Sequence, residues 1–143
     1  MFKSLKRRIK KMFREYLVHH HSSMEYRAKL LTLMISSNGE MCECEKAKLV
    51  HIAHSIYGED TERAEILIDT VYEYHLKIIT NNGLDFEDLI QSVERETKTV
   101  KRFAKKINLS LLKELQSCSN EDEALFQERI LEFLANLQEE NLA

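Results

Sequence analysis

Between residues 38 and 45 the chain sets four oxygen-bearing side chains close together, Asn38, Glu40, Glu43 and Glu45. Hard divalent cations such as Ca²⁺ or Mg²⁺ take oxygen ligands with carboxylates among them, so this stretch is a candidate cation site. The same residues also have a plain structural use. Asn38 and Gly39 can close one helix in left-handed conformations, while Glu43 and Glu45 favour the positive end of the next. Cys42-Glu43-Cys44 is a weaker offer to a soft metal, because structural zinc takes four ligands and no second pair stands at a matching spacing. His51 and His54 lie one helical turn apart, which suits a packed or capping pair better than a metal site. His19-His20-His21 reads as a polar junction that could hold a transition metal only loosely.

Other chemistries are poorly supplied. There is no nucleophile elbow, no phosphate-cradling glycine loop and no His-Glu-x-x-His, and with three glycines a nucleotide cradle is not expected. The reading assigns no catalytic or cofactor-binding residue, and the chain is expected not to be an enzyme. The three cysteines, Cys42, Cys44 and Cys118, form an odd set without paired spacing and so a poor disulfide framework, from which a reducing compartment is expected.

The sharper feature is at the start. Residues 1–21 hold Lys3, Lys6, Arg7, Arg8, Lys10, Lys11 and Arg14 against Glu15, a balance of +6, which leaves −9 on the remainder of a chain whose net charge is −3. Phe2, Leu5, Ile9, Met12, Phe13, Tyr16 and Leu17 recur at steps of three and four, the pattern of a basic amphipathic helix. Such a helix suits an anionic membrane interface. The same residues could instead dock on the acidic body of this chain, enter a partner's groove or, with less support, meet nucleic-acid phosphates.

These residues need elements to position them. Proline is absent, and 43% of the 143 residues are hydrophobic, enough for one helical core. The expected fold is all-α, a bundle of about six to seven helices, divided into residues 1–21 and a body over 22–143. Ser22 or Ser23 starts the first body helix, with Ser22 and Glu25 at capping-box spacing, and Tyr26, Leu30, Leu33 and Met34 form its apolar face. The next runs from Cys42 or Glu43 to Gly58. A long and central one follows Asp60 or Thr61, with Ala64, Leu67, Ile68, Val71, Tyr72, His75, Leu76 and Ile79 as its stripe, and stops at Asn81-Asn82-Gly83. Asp85 with Asp88 opens another, weakened around Glu96 to Thr99. Val100, Phe103, Ile107, Leu111 and Leu115 continue, interrupted at most by Asn108, and a last helix holds Leu125, Ile130, Leu131, Leu134 and Leu137. No apolar run approaches the ~20 residues that cross a bilayer, and no secretory signal is evident, so the expected place is the cytoplasm, with peripheral contact at the inner face of the membrane as an option for the basic helix.

A faint self-match at an offset of 82 pairs Leu30 with Leu112, Leu33 with Leu115, Asn38 with Asn120 and Leu49 with Leu131, each copy reading as helix, polar turn, helix. The turn from Ser36 to Glu45 resembles the hallmark of the TerB (tellurite-resistance B) family, a small residue, Asp-Gly, five residues, then Glu. The likeness spans residues 23 to 140. Asn38 stands where that family has Asp; in the second copy Asn120 and Gln127 replace the acidic pair, and Glu121 the glycine. The resemblance implies a helical bundle, divalent-metal binding at acidic turns, and a stress-response or membrane-associated scaffolding role. The function expected from all this is a non-catalytic interaction module with a protein partner. The alternatives are a metal-binding protein or metal-dependent enzyme using the acidic turn, and a small nucleic-acid-binding protein.

Overall fold

The computed structural model describes Arg8, residues 23–37 and residues 39–142. The expected basic helix, with Phe2, Lys3, Leu5, Lys6, Arg7, Ile9, Lys10, Lys11, Phe13 and Arg14, lies outside the described residues, as do Ser22 and Asn38; Arg8 is helical and exposed. The described residues form six α-helices and one 3-10 helix: α1 Ser23–Ser36, α2 Glu43–Tyr57, α3 Thr61–Ile79, α4 Phe86–Thr99, the 3-10 helix Lys101–Lys106, α5 Leu109–Gln116 and α6 Glu121–Asn141. None of these helices is long and apolar enough to cross a membrane.

Local chemistry sets most boundaries. Asp60, Asn108 and Asn120 accept backbone N–H bonds at the starts of α3, α5 and α6. Gly58 ends α2 with a φ of 58°. Asn81, with a φ of 53°, and Gly83, with a φ of 95°, end the α3 segment. Asp85 precedes α4, but its side chain makes no capping bond. The expected weakening at Glu96 to Thr99 falls slightly later: α4 runs through Thr99 and breaks at Val100. There the chain tightens into the 3-10 turn, whose geometry is poorer and tolerated only in short pieces.

The central helix is α1, not α3 as expected. It packs against α3, α4, α5, α6 and the 3-10 helix, and ten of its fourteen residues are buried. The run Leu30-Leu31-Thr32-Leu33-Met34-Ile35 is apolar nearly all round, which only a helix surrounded by neighbours can bury. Helix α3 instead lies at the side, so three of the eight residues of its expected stripe meet solvent: Tyr72 is 36%, Leu76 58% and Ile79 44% exposed. On α6, Leu125 is likewise exposed, while Ile130, Leu131, Leu134 and Leu137 are buried.

The polar groups this packing buries are tied across helices. The Thr97 hydroxyl donates to the Val93 carbonyl at 2.6 Å, so the Tyr26 hydroxyl, 2.6 Å from Thr97, is the donor of that pair. Burial pushes Tyr26 up to about 12, and it remains a neutral donor. The Tyr74 hydroxyl donates to the buried Glu25 carboxylate, and burial, then the Glu25 charge, raises Tyr74 further. Lys29 bridges α1 to α4 through Glu96 at 2.6 Å and Ser92 at 3.0 Å.

Candidate functional site

The 38–45 stretch is the entry to α2, and its side chains are drawn apart by that task. Gly39 takes a φ of 90°, a region that disfavours a Cβ even though space around it is open. Cys42 is the N-cap of α2, and its Sγ accepts from the Glu45 N–H at 3.5 Å. The Glu45 carboxylate accepts in return from the Cys42 N–H at 3.3 Å. This reciprocal box buries Glu45 to 1% exposure. Glu43 turns along the surface to Lys46 at 3.2 Å, and Glu40 is exposed. Glu40, Glu43 and Glu45 therefore do not converge; Asn38, the fourth expected ligand, lies outside the described residues. Among the described residues no group of three His, Cys, Asp or Glu could hold a metal ion.

This arrangement makes a direct prediction. Glu45→Ala should lower stability by about 1 kcal/mol through loss of the reciprocal cap, while Glu45→Gln, which keeps an accepting oxygen, should lose less. Urea titrations of both variants check it, and a Glu45→Ala protein as stable as wild type would refute the capping role.

His75, on α3, closes one side of the turn. Its Nδ1 lies 2.7 Å from Ser36 Oγ, and its Nε2 is buried without a hydrogen-bond partner. Burial holds its pKa below the ordinary 6.5, against a smaller upward pull from Glu40. The sign follows: the unfolded chain binds this proton more readily than the folded one, so the contribution of a neutral His75 is complete above pH 6.5 and is lost as pH falls from there through the depressed value. The melting temperature of wild type should therefore fall more steeply below pH 6.5 than that of His75→Gln; parallel curves would show that His75 is not the group responsible.

Two further features, whose roles the sequence did not suggest, complete the region. Gln127 of α6 is fully buried and donates through Nε2 to the Met34 carbonyl at 3.0 Å, satisfying the last turn of α1 across 93 residues. A polar side chain at that place reads in the sequence as a neutralised acidic ligand; it is a structural tie. The second correction is the disulfide. Cys44 and Cys118 are bonded, with Cα atoms 5.6 Å apart, joining the first turn of α2 to the turn between α5 and α6. Their separation of 74 residues carries no spacing signal; the packing of α2 on α5 brings them together. Cys42 remains free and exposed.

The second turn repeats the cap chemistry of the first. Asn120 Oδ1 accepts from the Glu123 N–H at 2.9 Å, and Glu123 accepts from the Asn120 N–H at 3.3 Å. The two capping boxes begin at Cys42 and Asn120, 78 residues apart, so they align different residues from the sequence match at 82. His51 and His54 take separate roles: His51 Nε2 lies 4.0 Å from Glu114 of α5, and the His54 carbonyl accepts the closing N–H of Gly58 at 2.8 Å.

A shallow cleft of about 250 Å³, counting the solvent at its mouth, has a mainly apolar floor that includes Leu30, Ile52, Ile56 and Leu111, with Arg27 and Lys106 also among its lining residues. The Arg27 guanidinium lies over the Tyr57 ring, 5.6 Å from its centroid, within the range of a cation–π contact. The floor brings no nucleophile or paired acid and base together. No family model matches the chain, and no curated protein or solved structure matches it. The TerB-like resemblance therefore rests on the residues of the turn and of the helices that flank it.

Proposed function

We propose that this chain is a non-catalytic interaction module of the TerB-like kind, recruited through residues 1–21 to an anionic, apolar surface, either a membrane interface or an acidic groove on a protein partner. The observation that carries the reading is the segregation of charge, +6 on the first 21 residues and −9 on the rest. Glu45 and Glu123, one acidic residue of each turn, are engaged in capping boxes, and the segment where cations and large apolar residues alternate is the recognition element on this reading. Membrane contact on this reading is peripheral, held by Lys and Arg at the headgroups and Phe and Leu below them.

The test is flotation of the full chain with phosphatidylserine-containing vesicles at low and high salt, beside a Lys6→Glu, Lys10→Glu variant. Each cation near such a surface is worth about 1 kcal/mol, so removing two weakens binding roughly thirtyfold before the new repulsion is counted. Salt-sensitive flotation of wild type, lost in the variant, supports the membrane reading. Without flotation, the protein reading requires partners captured by wild type and lost by the variant; if neither ligand is bound, residues 1–21 are not a recruitment element.

A further inference from the structure

A disulfide that only staples two turns needs two sulfurs, yet the chain's third cysteine lies two residues from one of them. Cys42 is exposed, and its Sγ is directed into the first turn of α2 by the bond it accepts from the Glu45 N–H. Cys44 belongs to that same first turn, and it too is exposed. Cys118, its bonded partner, is half-buried in the turn between α5 and α6. Cys44 is thus the more exposed residue of the bond and the expected point of attack for an incoming thiolate, with Cys118 as the leaving group and Cys42 as a neighbouring thiol.

We propose that Cys42, Cys44 and Cys118 form a thiol–disulfide exchange site for a small-molecule thiol, in which the bond passes between Cys44–Cys118 and Cys42–Cys44. In the first step the small thiolate attacks Cys44 Sγ; the Cys44–Cys118 bond breaks, its electron pair leaves on Cys118 Sγ, and a mixed disulfide with the small thiol remains on Cys44. In the second, the Cys42 thiolate attacks Cys44 Sγ and the small thiolate departs unchanged. Cys42 has given its proton to solvent and the Cys118 thiolate has taken one up, so the exchange is neutral in electrons and needs no oxidant. Its structural result is to free the α5–α6 turn from α2.

The experiment uses the full oxidised chain and its Cys42→Ser variant, whose serine is a good N-cap and should preserve the fold, as circular dichroism will show. Both are incubated without oxygen with substoichiometric glutathione, quenched by acid, alkylated and mapped by mass spectrometry. In wild type the expected products are a peptide carrying an internal Cys42–Cys44 bond and an alkylated Cys118. In Cys42→Ser the mixed disulfide at Cys44 can be resolved only by Cys118, which restores the starting bond, so alkylated Cys118 cannot exceed the glutathione added and should be at least tenfold lower than in wild type. The proposal is overturned if Cys42 is the one residue alkylated in wild type at every time point, or if both proteins release the same fraction of alkylated Cys118.

Discussion

Phe103→Ala should lower the unfolding free energy by roughly 3–5 kcal/mol, the range for removing a buried aromatic ring. Phe103 is fully buried in the 3-10 helix and stacks on Tyr26 of the central helix, with ring centroids 4.5 Å apart and planes inclined by 24°. A 3-10 turn has little intrinsic stability, so this segment stays in place through what it packs against and through Gln138, which donates to the Ala104 and Ile107 carbonyls at 2.9 and 2.7 Å. Truncating the ring opens a cavity beside Tyr26 and loosens the residue whose hydroxyl reaches Thr97. Against a typical total of about 5–15 kcal/mol, the loss is a large share of the molecule's stability. Urea unfolding followed by circular dichroism measures it, with Leu125→Ala as the comparison. Leu125 is 61% exposed, so its truncation should change little. A loss below about 1 kcal/mol for Phe103→Ala would mean that the 3-10 segment does not anchor the core.

The second large effect belongs to the disulfide. Cross-linking residues 74 apart restricts the unfolded chain, and the loop-closure relation puts the stabilisation at roughly 4 kcal/mol. Cys118→Ser and Cys44→Ser should each lose about that much, and the double variant no more than either single one, since all three remove the same bond. Reductant should bring wild type down to the level of the variants and leave the double variant, which keeps Cys42 alone, unmoved. Equal melting temperatures for wild type with and without reductant would show that the bond contributes nothing to the folded state.

Both effects concern features that the sequence displays only in part. Phe103 was legible as a core residue, because it follows Val100 and precedes Ile107 at helical spacing. Its partner Tyr26 lies 77 positions away, and nothing local announces the stack. The same division runs through the candidate site. Glu45 stands at capping-box distance from Cys42, a spacing that can be read directly, yet the residue types suggested a cation ligand instead. Carboxylate chemistry is the same in both uses, and only the direction of the side chain separates them.

What the sequence by itself determined is where helices begin and end. Asp60, Asn108 and Asn120 accept N–H groups within three residues, and Gly58 and Gly83 take conformations that a Cβ disfavours, so these signals act without the rest of the fold. What only the tertiary structure decided is which side of each helix is covered. The stripe on α3 is periodic throughout, but Tyr72, Leu76 and Ile79 face water because burial has gone to α1, whose Leu30 to Ile35 run can be satisfied only from all sides. Gln127 reaching Met34 and Cys44 reaching Cys118 belong to the same class. Periodicity records that a face is apolar, whereas the choice of its partner is a competition among all such faces for a limited interior.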